Sequence, residues 1–328
     1  MKRKGMFRLL TAALCALVFG FTGGGVFAQS YPSKPITFLC PFPPGAGNDV
    51  IARILAQKMS ERLGQSVVVE NRLGATGAIA TEMTAKSPPD GYTIIIVSTS
   101  TAIYSSMAKV PYDLAKDFAY VALVGTLPYL LVVPTSLPAK SIGELVALAK
   151  SKPGQFNYAS GGVGSIGHLM GEMLKKAGGV DIATIHYKGT PEALADVLAG
   201  RVQIWFTTMA TALPQVKSGK LRALGVSGTK RASVLPDVPT MAEAGFPTLD
   251  CVVWFAILTP AATPKKIVNQ LNSELVKILA MPEVQERLSN AGVEPSTSGT
   301  PPDEIFAYIK KDIERWNKVI EDSGIHLK

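Results

Sequence analysis

Short apolar runs alternate with amphipathic segments along most of the chain. Runs rich in Val, Ile, Leu and Phe predict strands, and segments whose apolar residues recur every three or four positions predict helices. The predicted strands are 36–40, 67–69, 93–98, 129–133, 156–159, 183–187, 202–206, 221–226 and 252–258. The predicted helices are 50–63, 142–150, 165–176, 191–199, 264–279 and 301–321. This alternation predicts an α/β fold, with helices packed against a sheet.

Local signals support several of these boundaries. Ser141 with Glu144 three residues later is a capping box, and Pro191 and Pro264 suit the first turn of a helix. The segment 228–248 contains several Pro and Gly residues and has no sustained periodicity. It is predicted to be a long connecting loop.

The N-terminus has the three parts of a signal peptide. Basic residues precede an apolar run at 9–21 and a small-residue site that ends at Ala28; the basic residues are Lys2, Arg3, Lys4 and Arg8. The apolar run is shorter than the roughly 20 residues of a membrane-spanning helix. Cys15 lies inside the run, not at the end of a lipobox, so a lipid anchor is not favoured. Residues 1–28 are therefore predicted to be removed after Ala28, leaving a periplasmic protein.

Charge and composition exclude several classes of protein. The chain has 33 basic and 25 acidic residues, and loss of the four basic residues with the signal peptide leaves 29 against 25, a net charge of +4. This charge is modest and scattered, whereas nucleic-acid binding needs a basic cluster, so no nucleic-acid partner is predicted. The remaining 300 residues have room for two domains of about 150 residues each, or for one large domain.

No metal or cofactor motif occurs. Cys40 and Cys251 lie in apolar, strand-like sequence and are predicted to be separate buried thiols, with a disulfide as the alternative in an exported protein. The three histidines, His168, His186 and His326, do not have a zinc spacing. We therefore predict no metal and no cofactor.

Two catalytic or nucleotide-binding patterns fail on one residue each. Gly45-x-Gly47 is followed by Val50 where a dinucleotide fingerprint needs a third glycine. The serine-hydrolase pattern Gly-x-Ser-x-Gly fails at Val163 before Ser165. A hydrolase of that type is therefore not favoured.

The loop 41–49 is the first candidate site. It follows a predicted strand and leads into a predicted helix, so its backbone N–H groups and the helix dipole favour an anion. The residues expected to line it are Phe42, Pro43, Gly45, Ala46, Gly47 and Asp49. The alternative is an ordinary strand-to-helix turn with Asn48 or Asp49 as the N-cap.

The loop 160–165 is the second candidate site, and it lies in the same strand-to-helix context. Its expected ligand contacts are Ser160, Gly161, Gly164 and Ser165. The alternative is that Ser165 is an ordinary N-cap and that His168 is a buried polar residue or a capping partner. Hydroxyl groups that follow two further strands, at Ser98, Thr99 and Thr207, are expected to face the same cleft. The alternative is that these hydroxyl groups have only the ordinary role of Ser and Thr in turns.

Several ordered segments together resemble one family. They are Tyr31-Pro32-x-Lys34-Pro35-Ile36, the loop 41–49, Val69-Glu70-Asn71-Arg72-x-Gly74-Ala75-x-Gly77, Ser87-Pro88-Pro89-Asp90-Gly91-Tyr92-Thr93, 160–168, Tyr187-Lys188-Gly189, Ala212-Leu213-Pro214 with Gly219–Leu224, and Leu235–Thr240. In this order the segments are similar to the Bug/TctC family, the periplasmic solute receptors of tripartite tricarboxylate transporters. Gly45-Ala46 departs from the Gly-Gly pair that is usual in that family.

The resemblance implies a two-domain periplasmic binding protein, a Venus flytrap of type II-like architecture with the ligand cleft between the domains. Domain one is expected at 29–128 plus 251–328, and domain two at 129–250. The implied ligand is a small organic anion, a carboxylate, held by main-chain amides with Tyr187 and Lys188 nearby. The implied partners are membrane permease subunits, and the protein is expected to be a monomer that is not an enzyme. The alternative function is an exported enzyme that uses His168 or Lys188 as an acid or base in the same cleft.

Overall fold

The computed structural model describes residues 31–187, 189–232, 234–249 and 251–323. The predicted signal peptide, residues 1–28, lies outside these ranges, and so does Lys188. Residues from Lys34 onward fall into one structural unit, and the fold described below is the fold of that unit.

Ten strands are present in the described ranges. They are β1 (Ile36–Cys40), β2 (Val67–Asn71), β3 (Thr93–Ser98), β4 (Phe118–Pro134), β5 (Phe156–Ser160), β6 (Ile182–His186), β7 (Ile204–Thr208), β8 (Leu221–Val226), β9 (Val252–Pro260) and β10 (Glu294–Pro295). The predicted strands at 36–40, 93–98 and 221–226 have the observed bounds. The largest difference is β4, which begins eleven residues before the predicted strand at 129–133.

Helices connect most of these strands. They are α1 (Gly47–Leu63), α2 (Ala78–Ala85), α3 (Thr99–Met107), α4 (Ile142–Ser151), α5 (Ile166–Gly178), α6 (Thr190–Leu198), α7 (Met209–Lys217), α8 (Lys265–Leu279), α9 (Pro282–Asn290) and α10 (Pro302–Ser323). The six predicted helices are all present. The sequence analysis did not predict α2, α3, α7 and α9.

The predicted start of α4 and the predicted loop are confirmed. The Ser141 hydroxyl accepts the Glu144 amide at 3.1 Å, and the Glu144 carboxylate accepts the amide of Lys140, the residue before the N-cap, at 2.8 Å, so each side chain satisfies one amide at the helix start. Between β8 and β9 the chain forms turns, one bridge from Val226 to Thr240 and a single 3₁₀ turn at Pro247–Leu249. Apart from residue 233, which is not described, the segment 228–248 therefore connects the strands without a further helix or strand of its own.

One long strand joins two parallel groups of strands. The sheet order is β2-β1-β3-β9-β4-β7-β5-β6, with β8 and β10 also paired to β4. The first part of β4, to Pro128, pairs with β9, and the part from Tyr129 pairs with β7 and β8. Strands β1, β2 and β3 are parallel to one another, as are β5, β6 and β7.

The strand register brings the carboxyl ends of the two parallel groups toward each other. Ser98 at the end of β3 is opposite Phe255, and Phe255 is opposite Gly125 of β4. From the other direction, Thr208 at the end of β7 is opposite Tyr129 of β4. Four residues of a strand span about 13 Å. The strand ends of both groups therefore face the short stretch 125–129, which is where α/β sheets bind ligands.

Each group of strands has its own apolar core. The first core contains Ile95, Val97 and Trp254 from β3 and β9, with Ile305 and Ile309 from α10 packed on them. The second contains Leu130, Val132, Ala159 and Trp205, with residues of α6 and α7. Burial of these side chains is the main force that holds helices on the sheet. Among the described residues, no helix combines the length and apolar composition that crossing a bilayer requires.

A largely but not fully buried carboxylate links α10 to the sheet. Asp312 Oδ2 accepts the indole N–H of Trp254 at 2.8 Å and that of Trp316 at 3.0 Å, and Asp312 Oδ1 pairs with Arg315 at 2.8 Å. Burial raises the pKa of Asp312, against the opposite effects of Arg315 and the two indoles. Both tryptophans are fully buried, so Asp312 supplies the acceptor that their N–H groups need.

Cys40 and Cys251 are both buried thiols, and no disulfide joins them in the described part of the chain, as predicted. Burial is the largest influence on the Cys40 thiol and raises its pKa. A raised pKa disfavours the reactive thiolate. The sequence interpretation of separate buried thiols is therefore confirmed.

Candidate functional site

The first predicted loop presents free amides at the start of α1. The helix begins at Gly47, and its N-cap is Ala46 (φ −70°, ψ 159°), which provides no side-chain cap. The amides of the first turn have no intrahelical acceptor and point out of the helix end. The alternative prediction that Asn48 or Asp49 is the N-cap is wrong, because the helix begins before both. The extended backbone of Ala46 suits any residue, so the methyl group adds no strain there.

Asp49 shapes this loop from within. Its carboxylate accepts the Gly45 amide at 2.9 Å, Asn71 Nδ2 at 2.8 Å and Arg53 Nε at 2.9 Å. Burial raises the pKa of Asp49, but the hydrogen bonds from Arg53, Asn71 and Gly45 outweigh it and hold the pKa below its usual value. Gly45 has φ +84°, a conformation that glycine adopts without strain. Of the groups of Asp49, only the backbone amide remains available to an anion.

The second predicted loop is closed by hydroxyl groups. Ser160 Oγ lies 3.0 Å from Gly162 O and 3.2 Å from Ser165 Oγ, and it accepts the Gly162 amide at 3.2 Å. Ser165 is the N-cap of α5, and its hydroxyl accepts the His168 amide at 3.3 Å. The prediction of Ser165 as an N-cap is confirmed.

The His168 side chain accepts a hydrogen bond from the amide of the residue that precedes this N-cap. Its Nδ1 accepts the Gly164 amide at 3.1 Å, so His168 is the capping partner that the sequence analysis gave as an alternative. The Ser165 amide is also used inside the loop, by Gly162 O at 3.1 Å. Among the described contacts, the amides without an acceptor are those of Gly161, Val163 and the first two residues of α5. Gly161 therefore offers a free amide, whereas that of Gly164 is engaged.

Two further helices begin at the facing strand ends. Ser98 is the N-cap of α3 and Thr208 is the N-cap of α7, and neither side chain caps its helix. The Thr99 hydroxyl accepts the Trp254 amide at 2.9 Å, and Thr207 is buried in β7. The sequence analysis predicted the hydroxyl groups at these strand ends but not the helices that follow them.

Three segments of the first group meet behind loop 41–49. A Cβ atom on Gly77 (φ +97°) would lie 2.9 Å from Pro41 Cβ and 3.1 Å from Thr101 Oγ1. Only glycine fits this close approach. Among the described side chains, the buried Asn48 Nδ2 and Thr101 Oγ1, both in the first turns of their helices, make no hydrogen bond. The sequence analysis did not single out Gly77 or Asn48 for this site.

The remaining predicted site residues differ in exposure and in whether their polar groups are already hydrogen-bonded. Phe42 is half-buried and Pro43 is exposed. The Tyr187 amide donates to Ser160 O at 2.8 Å, which places Tyr187 beside the second loop. Its hydroxyl donates to Asp196 at 2.8 Å, and burial together with Asp196 raises the pKa of Tyr187 to about 12. Lys188 lies outside the described residues.

Two cavities lie away from the two predicted loops. One of about 920 Å³ lies between α5, residues 247–248 and α10, and one of about 650 Å³ lies between α3 and α10. Neither is lined by a predicted site residue. Within the described ranges, no group of three or more His, Cys, Asp or Glu side chains is placed to hold a metal ion. What the two predicted loops present to a ligand is therefore backbone amides at helix starts.

Comparison with known proteins identifies the family. The family model described as "Tripartite tricarboxylate transporter family receptor" matches residues 51–325. The chain belongs to this family. Protein BugT of Bordetella pertussis is 37% identical over 326 residues, covering 98% of this chain and 99% of BugT. The resemblance inferred from the ordered motifs is confirmed.

Solved structures agree with the family and with the fold. A protein of R. palustris solved with adipate is 35% identical, has a TM-score of 0.75, and matches 90% of this chain and 99% of its own. MatC from Rhodopseudomonas palustris, solved with bound malate, is 31% identical with a TM-score of 0.72, and the match covers 88% of this chain and all of MatC. The receptor has the α/β fold of periplasmic binding proteins, as predicted.

Proposed function

We propose that this receptor binds a small organic carboxylate between the two facing groups of strand ends and delivers it to a membrane transporter. The observation that carries the proposal is that α1, α3, α5 and α7 all begin at these strand ends, three of them without a side-chain cap. Free amides and helix dipoles at one place favour an anion. The adipate and malate bound to the two R. palustris proteins support a dicarboxylate.

The binding energy does not need a basic side chain in the cleft. Each charge-assisted hydrogen bond contributes about 1.5–3 kcal/mol. Three or four such bonds give roughly micromolar affinity after ordering costs are subtracted. The buried charge of Asp49 near the first loop is balanced by Arg53, which contacts the carboxylate at 2.9 Å.

The position of β4 supports the proposed division into domain one at 29–128 plus 251–328 and domain two at 129–250. Pro128 is opposite Val252, so both crossings of the chain lie at one level of the sheet. Beyond that level β4 exchanges its partner β9 for β7 and β8. Two adjacent connections of this kind allow hinge closure around a ligand.

A binding role without turnover fits the chemistry of His168 better than the enzyme alternative. Its Nδ1 is already engaged by the Gly164 amide, and the ring is stacked on Tyr158 and packed against His186. A general acid or base needs a nitrogen that reaches the substrate. We therefore propose that the protein is a non-enzymatic monomer and that its protein partners are permease subunits.

If backbone amides of the two loops hold a ligand carboxylate, which we call the anchor, the affinity is expected to depend strongly on the charge of the ligand. Converting one carboxylate of a bound dicarboxylate to a primary amide removes the charge and directs a donor at donors. The expected loss is about 2 kcal/mol, roughly 30-fold in Kd. Calorimetric titration of adipate, malate and their monoamides measures the ratio. Equal affinity of acid and amide would refute the anchor, and NMR detection of a product from any bound acid would favour an enzyme.

Export is tested at the N-terminus. The three-part pattern that ends at Ala28 predicts a mature chain beginning at Gln29. Intact mass spectrometry of protein from the periplasmic fraction is expected to give that chain. A mass that retains Met1, or one that includes a lipid, contradicts the proposed processing.

A further inference from the structure

The two loops of the site share one hydrogen-bonding arrangement. In each, a glycine with positive φ precedes the N-cap, and its amide donates to the third residue of the helix. The pairs are Gly45 (φ +84°) with Asp49 and Gly164 (φ +74°) with His168, at 2.9 and 3.1 Å. In each loop this bond fixes the backbone just before the amides that are free to bind an anion.

The acceptors of the two loops respond differently to pH. The Asp49 carboxylate keeps its lone pairs at any pH well above 4. His168 accepts only while Nδ1 is unprotonated, because a backbone N–H is always the donor. The neutral ring therefore carries its proton on Nε2. Protonation of Nδ1 turns it into a donor that faces the Gly164 amide.

We propose that His168 is a positioning residue whose neutral Nδ1 holds the second loop in its anion-binding shape, so that acidification opens this loop and weakens ligand binding. This inference rests on the proposed function, since the amides of the second loop are part of the proposed anchor. It adds a regulation of that site by proton concentration.

The surroundings of His168 favour the neutral ring. The side chain is buried, and the ring centroid of His186 on β6 lies 5.0 Å away. Burial first, and then the charge of His186, lower the pKa of His168; Lys175 on the same helix acts in the same direction and Glu172 opposes it. Tyr158 of β5 stacks on the ring and donates to Glu172 at 2.7 Å. The folded pKa therefore lies below the ordinary value of about 6.5.

The sign of the effect follows from this shift. Because the folded pKa is depressed, the hydrogen bond is fully present above about pH 6.5 and is lost as pH falls through the folded pKa. A role of the histidines as charge partners predicts the opposite, since an imidazolium attracts a carboxylate more strongly at low pH. The two readings therefore differ in direction and not only in size.

The first test needs no ligand. Amide hydrogen exchange at Gly164, corrected for the intrinsic pH dependence, is compared between pH 7.5 and pH 5 in the wild type and in His168→Asn. The Asn Oδ1 lies close to the position of Nδ1 and accepts at every pH. Protection of Gly164 is expected to fall about fivefold or more in the wild type and to stay constant in His168→Asn. Gly45 is the internal control, since Asp49 stays ionised in this range.

The second test measures affinity. Malate and adipate are titrated calorimetrically at both pH values, and the wild-type change in Kd is divided by that of His168→Asn, which cancels titration of the ligand itself. A ratio of about five or more, with weaker wild-type binding at pH 5, supports the proposal. A ratio near one, or tighter binding at pH 5, overturns it. If neither acid binds at pH 7.5, the proposed dicarboxylate fails, while the exchange result still decides the role of His168.

Discussion

Gly161→Val is expected to weaken ligand binding about a hundredfold and to leave the free energy of unfolding nearly unchanged. The side chain would project beside a free amide of the second loop and keep the carboxylate from at least one of its hydrogen bonds, with about 3 kcal/mol lost from that bond and from displaced neighbours. The fold has room for it, since a Cβ at this position would have Ser165 as its nearest neighbour, at 3.9 Å. Calorimetric titration and chemical denaturation measure the two quantities.

Matched variants distinguish a loss of ligand contacts at the loop from a general effect of placing valine near the start of a helix. Gly47→Val places the same side chain at the start of α1, where a Cβ meets nothing within 4 Å, and is expected to weaken binding in the same way. Gly143→Val is the control: Gly143 is also near a helix start with free space, but α4 begins after the far end of β4. Ser165→Ala removes the cap and the contact with Ser160 Oγ but no backbone amide, and it is expected to weaken binding modestly. Equal loss in Gly143→Val and Gly161→Val would contradict the assignment of the site.

Asp312→Ala is expected to lower the free energy of unfolding by about 3–5 kcal/mol. The substitution leaves two fully buried indole N–H groups without an acceptor and removes one ion-pair partner of Arg315. Each unsatisfied buried donor costs about 1–3 kcal/mol. Urea denaturation at pH 7 followed by circular dichroism measures the difference.

Two further variants on α10 give this prediction its controls. Asp312→Asn retains one acceptor oxygen for the indoles and carries no charge to bury, so a smaller loss than in Asp312→Ala is expected. Glu314→Ala changes an exposed residue of the same helix and is expected to stay within about 0.5 kcal/mol of the wild type. A loss in Asp312→Ala no larger than that of Glu314→Ala would show that the buried carboxylate does not hold α10 to the sheet.

The sequence predicted the elements whose pattern is local. Helix α4 has a capping box, and strands β1, β3 and β8 are apolar runs bounded by turn residues, so composition alone places them. Helix α3 was missed because its first residues are Thr99, Ser100 and Thr101, which favour turns and caps. It is held in place by tertiary contacts, including the bond from the Trp254 amide to Thr99.

The long strand β4 was predicted only in its second part. Gly125 and Pro128 interrupt the apolar pattern, and both residues normally weaken a strand. The structure uses them at the crossing: a Cβ on Gly125 would collide with the Glu294 carbonyl oxygen of β10, and Pro128 lies where β4 changes partners. These reasons are non-local, so a reading of residues one segment at a time does not find them.

The site was predicted at the level of loops and not of contacts. Glycine-rich strand-to-helix turns indicated where free amides would lie. Some of these amides are already hydrogen-bonded to helix side chains that reach back to the loop, as those of Asp49 and His168 do. The sequence does not show which amides these are. Spacing allows such a contact but does not select it, because a side chain at the third helical position can equally point to solvent.

The link from Thr99 through Trp254 to Asp312 has a practical consequence for identifying the ligand. The backbone of Trp254 is bonded to the first residue of α3, at the cleft, and its indole is bonded to a carboxylate on the C-terminal helix. The indole is thus a built-in optical probe whose emission depends on the field of Asp312. Unlabelled protein can be screened against libraries of organic acids by its intrinsic fluorescence, and Trp205→Phe together with Trp316→Phe leaves Trp254 as the one tryptophan of the sequence.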